Sequence, residues 1–310
     1  MKVLVAGGAG YLGAVLCPFL AARGHHVTAL DLAYSEAARR ALSEASVECL
    51  TGDMTDREFL REALSGQEAA VNLAVVHHPQ DKQDPARALL VNVEGARLLG
   101  DLAAGQGLAK LVYASACHVY GDPAENPITE ATPCRPLSLR GIGKLAGETA
   151  SLACHYNYGL DVTVLRLSNF YGPSPEMNWS PFVRRVVVMA VEGRPITVMG
   201  SGRQKRNLLH VADAALAISL ALQAPGKAGR VFNIGGPDNL SVASMVEITV
   251  ENAAKLGIAA SIVSIPPRGQ ESYSEEYRLD WGEADRRLGY RPARDYRRAQ
   301  MEMFDLLTRS

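Results

Sequence analysis

Glycine residues near the N-terminus are spaced as a dinucleotide-binding turn requires. Gly8-x-Gly10-x-x-Gly13 follows the apolar run Lys2–Ala6 and precedes a helix-like segment, and Gly7 extends the pattern. Glycines allow a tight turn whose backbone N–H groups approach a pyrophosphate, and the N-terminus of the helix adds a partial positive charge. The chemistry indicated is the binding of a dinucleotide cofactor.

Two acidic residues bear on which cofactor is bound. Asp31 ends a second apolar run, about 20 residues after the glycines, where a carboxylate can bind the ribose hydroxyls of adenosine. A carboxylate repels a 2′-phosphate and no Arg follows it immediately, so NAD is favoured over NADP. The alternative is that Asp31 only caps the next turn. Asp53, after a third run, is open to two interpretations: it binds the adenine amino group, or it is an ordinary helix N-cap.

The elements that must position these residues are predicted by alternating patterns. Short β-branched runs bounded by glycine or polar residues indicate buried strands. The strands are predicted at Lys2–Ala6, His26–Asp31, Val47–Leu50, Ala70–Leu73, Leu111–Ala114 and Val162–Leu167, and the helices at Tyr11–Arg23, Ser35–Ala45, Asp56–Leu64, Pro85–Gly105 and Ser138–Tyr158. The alternation predicts an α/β fold, a Rossmann-type doubly wound parallel sheet that binds ligands at the carboxyl ends of its strands.

The pattern changes after Tyr171, where prolines interrupt it and the elements become shorter. Helices are predicted at Ser180–Glu192, Leu209–Leu222 and Ser241–Leu256, and strands at Ile196–Met199, Val231–Ile234 and Ser261–Ile265. We therefore expect an NAD-binding domain over residues 1–170, to which residues 207–235 return. Residues 171–206 and 236–310 are expected to form a smaller C-terminal substrate-binding lobe.

Composition limits the classes of function. The chain has 310 residues, of which 47% are hydrophobic, enough for a large core. A net charge of −1 provides no field for nucleic acid or an anionic membrane. The five cysteines form no CxxC pair and no apolar run could span a bilayer. We expect a soluble, cytoplasmic protein without a metal, partnered by neither nucleic acid nor membrane.

Further motifs follow one another along nearly the whole chain. They are Gly52-Asp53, Val91-Asn92-Val93-Glu94-Gly95, Leu111-Val112-Tyr113-Ala114-Ser115, Val119-Tyr120-Gly121, Arg166-Leu167-Ser168-Asn169-Phe170-Tyr171-Gly172-Pro173, Phe232-Asn233-Ile234-Gly235-Gly236 and Arg286-Arg287-Leu288-Gly289-Tyr290-Arg291-Pro292. Together with the glycine turn they resemble the extended short-chain dehydrogenase/reductase family, in particular its NAD-dependent nucleotide-sugar epimerase/dehydratase branch.

The resemblance implies a set of binding residues. For NAD they are Gly7, Gly10, Tyr11, Leu12, Gly13, Asp31, Asp53, Met54, Leu73, Ala74, Asn92 and Lys144. For the substrate, a nucleotide-diphosphate sugar or a related small molecule, they are Ala116, Asn169, Arg206 and Arg268, the two arginines gripping the diphosphate as planar forks. It also implies a homodimer formed through Pro85–Gly105 and Ser138–Tyr158.

The chain departs from this family where protons are transferred. The family has a Tyr four residues before the Lys that occupies position 144, but this chain has Arg140, which stays protonated and cannot act as a base. The family's catalytic hydroxyl is replaced by Ala116, and Ser115 is expected to point elsewhere. Lys144 keeps a role in cofactor binding and remains a catalytic candidate.

Three side chains are candidates for the replacement chemistry. His118 occupies a slot that is acidic in the family's 4,6-dehydratases, and an ordinary imidazole titrates near neutral pH. Cys117 is a weaker candidate, since a free Cys is usually only buried. Arg140 suits an anionic group, such as a uronate carboxylate or a developing oxyanion, and lowers the pKa of Lys144 by like-charge proximity.

The leading prediction is an NAD-dependent enzyme that epimerises, dehydrates or reduces a nucleotide-activated sugar through a proton path without the usual Tyr. The loss of the Tyr and the hydroxyl favours an alternative, a non-catalytic NAD or nucleotide sensor or an inactive partner subunit. A third hypothesis is a ketoreductase of a non-sugar metabolite. Fold alone does not separate these activities.

Overall fold

The computed structural model describes residues 1–76, 80–176, 182–224, 229–266 and 276–308. The strands are β1 (Lys2–Ala6), β2 (His26–Asp31), β3 (Glu48–Thr51), β4 (Ala69–Asn72), β5 (Lys110–Ala116), β6 (Asp161–Leu167), β7 (Asn169–Tyr171), β8 (Ile196–Met199), β9 (Lys205–His210), β10 (Arg230–Ile234), β11 (Asn239–Ser241) and β12 (Ile262–Ile265). The helices are α1 (Gly13–Ala21), α2 (Glu36–Glu44), α3 (Arg57–Leu64), α4 (Gln80–Gln83), α5 (Pro85–Leu89), α6 (Ala96–Gly105), α7 (Leu139–Tyr158), α8 (Phe182–Val191), α9 (Val211–Gln223), α10 (Val242–Lys255), α11 (Gly282–Leu288) and α12 (Tyr296–Thr308).

Seven parallel strands form the central sheet, in the order β10-β6-β5-β4-β1-β2-β3. Successive residues of β1 point to opposite faces: Val3 and Val5 pack with α1 and α9, and Leu4 and Ala6 pack with α3 and α6. Both faces are therefore covered by helices, which explains why the strands are almost continuously apolar. The Rossmann-type doubly wound sheet predicted from the sequence is confirmed.

The long helix predicted at Pro85–Gly105 is interrupted. α5 and α6 are separated by a π-helical segment, Leu90–Gly95, which contains the buried Asn92. The Asn92 carboxamide oxygen accepts a hydrogen bond from the Val76 backbone N–H at 3.0 Å. A π-helical turn inserts a residue into the helical register and is frequent at functional sites. Here it places Asn92 against the segment that follows β4.

The second part of the chain forms two small sheets, β11-β9-β7 and β12-β8. Helices α8, α10 and α12 pack around a separate apolar cluster with them. The helix predicted at Leu209–Leu222 starts later than expected, because Leu209 and His210 end β9 and His210 caps α9 by accepting from Ala212 N–H at 3.1 Å. β10 pairs in parallel with β6 at the edge of the large sheet.

The assignment of residues to two functional domains stays a prediction. Within the described residues, no helix is long and apolar enough to cross a membrane.

Candidate functional site

The glycine turn lies between β1 and α1, at the carboxyl edge of the sheet. Gly7 and Gly8 both donate their N–H to the Leu30 carbonyl, at 2.9 and 3.1 Å, which draws the turn against β2. Gly7 has a φ of +82°, and a Cβ on Gly13 would lie 2.2 Å from the Gly7 carbonyl oxygen. Side chains are excluded where a pyrophosphate must meet backbone N–H groups and the start of a helix.

Asp31 ends β2 directly beside this turn. One carboxylate oxygen accepts from Ala9 N–H at 3.0 Å and the other from Leu32 N–H at 2.8 Å. Asp31 therefore does brace the turn, but each oxygen retains a second acceptor position, and ribose binding stays a prediction. Burial raises the pKa of Asp31, with a further contribution from Glu176.

Glu176 is a residue that the sequence did not point to. Its carboxylate accepts from the Ser35 hydroxyl at 2.8 Å, so it lies close to the end of β2 despite being far away in sequence. Two carboxylates at this end of the site oppose a 2′-phosphate more strongly than Asp31 alone, which favours NAD over NADP.

Asp53 does not cap α3. The N-cap is Asp56, which accepts from Glu58 and Phe59 N–H groups, so the N-cap interpretation of Asp53 was wrong. Asp53 instead accepts from the Thr55 hydroxyl at 2.7 Å and pairs with Arg87 at 2.5 Å. Burial alone would raise its pKa, but these partners lower it, so the group stays ionised. Contact with adenine stays a prediction.

The remaining residues of the cofactor group lie around the same edge. Met54 is buried against Gly95 of the π-helical segment. Leu73 and Ala74 follow β4, where Ala74 N–H donates to the Asn72 carboxamide at 3.1 Å. Tyr11 donates its hydroxyl to the Gly172 carbonyl, which joins the glycine turn to the segment after β7. These contacts brace the predicted NAD site from several strands.

A cavity of about 310 Å³ opens beside the glycine turn. It combines residues from the large sheet with residues from the second part of the chain. The predicted site residues that line it are Gly7, Gly10, Tyr11, Leu12, Gly13, Leu73, Ala116, His118, Arg140, Lys144, Asn169 and Arg206. Asp31, Asp53, Met54, Ala74, Asn92 and Cys117 lie outside its lining, and Arg268 is outside the described residues.

Lys144 is buried on α7 and its ammonium group is held from two sides. Nζ donates to the Ala114 carbonyl at 2.8 Å and to the Ala74 carbonyl at 3.3 Å. Burial and the neighbouring charge of Arg140 lower its pKa to about 7. An amine with this pKa exists in both protonation states at neutral pH, as a general acid or base requires.

Arg140 lies one helical turn before Lys144 and also lines the cavity. Burial lowers the pKa of its guanidinium. Among the described residues it has neither a hydrogen bond nor an ion pair. A contact at the start of α7 sets its position: a Cβ on Gly141 would lie 2.7 Å from the His118 carbonyl oxygen, so the helix start packs directly on the turn that carries His118.

His118 and Cys117 occupy one 3₁₀ turn but have different surroundings. His118 lines the cavity, where burial, Arg140 and Arg206 lower its pKa to about 3 and keep the imidazole neutral. Cys117 packs among Val119, Ile128 and other apolar residues. Burial raises its pKa to about 11. The catalytic role predicted for Cys117 therefore lacks both access and a thiolate.

The Ser115 hydroxyl points into the interior, as expected. It donates at 2.9 Å to Glu148, which forms a buried ion pair with Arg166. Ala116 presents no side-chain hydroxyl to the cavity beside it. Ser115 and Ala116 both line the cavity, but the Ser115 hydroxyl is engaged by Glu148 and Ala116 has no polar side-chain atom.

Residues from the second part of the chain complete the cavity. The Asn169 carboxamide donates to the Asn207 carbonyl at 3.3 Å, and Arg206 donates to the Lys205 carbonyl at 2.7 Å. No Asp or Glu is among the described lining residues, whereas Arg140, Lys144 and Arg206 are. The described residues contain no cluster of three or more His, Cys, Asp or Glu that could hold a metal ion.

Comparison with known proteins identifies the family. Residues 3–235 match the NAD dependent epimerase/dehydratase family, and the chain belongs to it. A dTDP-glucose 4,6-dehydratase of Streptomyces griseus is 33% identical over 306 residues, covering 94% of this chain and 90% of that protein. A UDP-glucose 4-epimerase of Corynebacterium glutamicum is 33% identical over 270 residues, covering 81% of this chain and 80% of that protein.

A solved structure supports the same assignment. The dTDP-glucose 4,6-dehydratase DesIV of Streptomyces venezuelae, with NAD and TDP bound, has a TM-score of 0.88 and 27% identity, covering 100% of this chain and 98% of that one. The resemblance stated from the motifs is thereby confirmed. The chain is an NAD-dependent enzyme of the nucleotide-sugar epimerase/dehydratase type.

The first prediction concerns cofactor choice. Asp31→Asn keeps an acceptor for the Ala9 N–H but removes the charge, so we expect NAD affinity to fall by about 10-fold and the preference for NAD over NADP to narrow. Calorimetric titration with both cofactors measures this. Glu36→Gln, at an exposed carboxylate of α2, is the control. An unchanged NAD-to-NADP ratio in Asp31→Asn would refute the role of Asp31.

The second prediction concerns Lys144. Removing the adjacent positive charge in Arg140→Gln makes the ammonium form less costly, so the pKa of Lys144 should rise from about 7. NMR titration of isotope-labelled lysines, assigned with Lys144→Met, follows this group directly. An unchanged titration midpoint would mean that Arg140 does not act on Lys144.

Proposed function

We propose that this chain modifies a nucleotide-diphosphate sugar by reversible oxidation with NAD, using Lys144 in place of the missing Tyr as the proton-transfer group. The observation that carries the proposal is the single cavity in which Lys144 and Arg140 from α7 meet Asn169 and Arg206 from the second part of the chain. The glycine turn adjoins that cavity, so cofactor and sugar can meet.

The residues around the turn fit NAD. Gly7 to Gly13 leave room for a pyrophosphate at the start of α1, and Asp31 with Glu176 offers carboxylates to the adenosine ribose. When bound, NAD accepts a hydride from the sugar carbon and can return it. The chain's own residues must remove and restore the hydroxyl proton.

Lys144 is better suited to that proton than His118. In the ammonium form, two N–H groups point to the Ala114 and Ala74 carbonyls. Loss of the third proton leaves a lone pair directed away from those carbonyls, and Lys144 lines the cavity. A pKa of about 7 suits both transfer directions, whereas His118, with a pKa of about 3, takes up a proton only weakly. His118 can still donate a hydrogen bond as a neutral imidazole.

Positive charge on the substrate side of the cavity suits a diphosphate. Arg206 and Asn169 lie in the cavity, and Arg206 offers a guanidinium fork to phosphate oxygens. The named relatives act on dTDP-glucose and UDP-glucose, which carry such a diphosphate. Arg268, which the resemblance assigns to the same diphosphate, remains part of this proposal.

The cavity favours epimerisation or keto-reduction over dehydration. Elimination of water requires an acid that protonates the leaving hydroxyl, and no carboxyl group is among the described lining residues. The family's 4,6-dehydratases are expected to have an acidic residue at the position of His118. The His118 imidazole is neutral near pH 7 because its pKa is lowered. Reversible oxidation by hydride and proton transfer needs only NAD and one base.

A competing hypothesis is a non-catalytic sensor or inactive partner subunit, which the absence of the Tyr and the hydroxyl favours. A ketoreductase acting on a non-sugar metabolite is the other. The homodimer also stays a proposal; exposed apolar side chains on α5 and α7, including Leu89, Ile142 and Tyr156, suit such a contact.

The third prediction separates these functions. Protein loaded with NAD⁺ should convert a nucleotide sugar to an epimer of unchanged mass, because the hydride returns to the carbon that it left. Protein loaded with NADH should add two hydrogens to a 4-keto sugar, and neither reaction loses water. NMR spectroscopy resolves the epimers, and mass spectrometry detects the gain of two hydrogens or the loss of water. Loss of water would instead identify a dehydratase. Absence of both an epimer and a mass change, despite confirmed cofactor binding, would favour the sensor, and turnover of simple ketones alone would favour the ketoreductase.

The fourth prediction separates Lys144 from His118. At saturating NAD, Lys144→Met should lower kcat by about 10²–10⁴-fold, the usual contribution of a general base, and added alkylamines should restore part of it. His118→Gln, which keeps a hydrogen-bond donor, should retain most of kcat. Rescue by amines is the control against a merely structural defect. The reverse ranking of the two variants would assign proton transfer to His118.

A further inference from the structure

Arg140 is an ionised group in the cavity wall that forms no ion pair with any of the described residues. Burial lowers its pKa, and no described residue gives it a hydrogen bond or an ion pair. Arg140 is half-buried, and even partial removal of an unpaired charge from water has a cost in free energy. An anionic group on a ligand in the cavity would supply an ion-pair partner for this guanidinium.

We propose that the sugar unit of the substrate carries a carboxylate and that Arg140 binds it. The proposal rests on the proposed function, because it assumes that a nucleotide-diphosphate sugar occupies this cavity. It adds the class of sugar, a sugar acid rather than a neutral hexose.

The charges in the cavity support a second anionic group besides the diphosphate. Arg140, Lys144 and Arg206 line it, and no carboxylate does so among the described residues. Arg206 is suited to the diphosphate, and Lys144 is only about half protonated at pH 7 because its pKa is lowered to about 7. Arg140 is then the one fully charged lining group of the described wall that the diphosphate site does not use.

The two groups that raise the pKa of Arg140 do not neutralise its charge. Asp81 on α4 and Cys117 both act to raise the pKa of Arg140, less strongly than burial lowers it. Cys117 is protonated, since its own pKa is raised to about 11. Asp81 is buried, forms no ion pair with Arg140 and does not line the cavity. The guanidinium therefore remains available to a ligand.

The surroundings of Arg140 fit a carboxylate. The guanidinium can donate two parallel hydrogen bonds to its two oxygens. The start of α7 packs on the His118 turn, so a neutral imidazole that can donate a further hydrogen bond lines the same cavity. Ala116 adds no side-chain oxygen that would compete for or repel the anion. A neutral hydroxymethyl group would leave the charge of Arg140 unpaired.

Calorimetric titration of the NAD-loaded protein tests the sugar class. The probes are UDP, UDP-glucose and UDP-glucuronate. The matching dTDP compounds are titrated in parallel, so that both nucleobases are tested. The wild type should bind the sugar acid about 10- to 100-fold more tightly than the neutral sugar, the range of a charge-assisted hydrogen bond. Arg140→Gln should remove that difference while binding of the free nucleoside diphosphate stays unchanged.

Control variants separate this effect from misfolding. Arg203→Gln, at an exposed arginine in the segment before β9, should leave the preference intact. Arg140→Lys should keep part of it, and Arg140→Tyr should reverse it toward the neutral sugar. Unchanged NAD affinity in each variant verifies the fold.

Equal affinity for the acid and neutral sugars in the wild type, or a preference that survives Arg140→Gln, would overturn the inference and leave the proposed function standing. Failure of every nucleoside diphosphate and nucleotide sugar to bind would instead overturn the proposed function, and the inference with it.

Discussion

Two positive groups one helical turn apart, one buried and one half-buried, determine the chemistry of this site. Arg140 stays charged, and its proximity adds to burial in lowering the pKa of Lys144 to about 7. The same guanidinium helps to keep His118 neutral. The replacement of the family Tyr by Arg140 therefore has three effects. It removes the phenol that carries the proton in the family, it lowers the pKa of Lys144, and it places a positive charge in the cavity that a ligand can neutralise. The cavity, the proposed base and the proposed sugar acid all depend on this pair.

The fold supports the pair through contacts that are structural in themselves. The Ala114 and Ala74 carbonyls that hold Lys144 belong to β5 and to the segment after β4, adjacent strands of the sheet. Gly141 allows α7 to approach the His118 turn, and Ser115 is drawn inward by Glu148. An apolar position at Ala116 and a close helix–turn contact thus define the space around Arg140.

Much of this could be predicted from the sequence, because short-range patterns carry it. The strands of the large sheet, the glycine turn and the position of Lys144 follow from periodicity and spacing. The π-helical segment at Leu90–Gly95 could not, since a single inserted residue leaves the apolar pattern of a helix largely intact. Glu176 and Arg87 were missed because their partners, Ser35 and Asp53, are distant in sequence. Cys117 and His118 are neighbours in sequence, but only packing shows that one thiol is enclosed while the imidazole lines the cavity.

The pH dependence of kcat/KM for sugar oxidation tests the central claim most directly, because it reports the ionisation of the free enzyme. Reduction of the bound nicotinamide is followed in single turnovers at limiting sugar, across the neutral range and with a substrate that does not titrate there. If Lys144 is the base, kcat/KM rises with pH through about 7 and then levels off, since only the neutral amine accepts the proton. A profile that is flat across that range, or that falls as pH rises, would contradict the account.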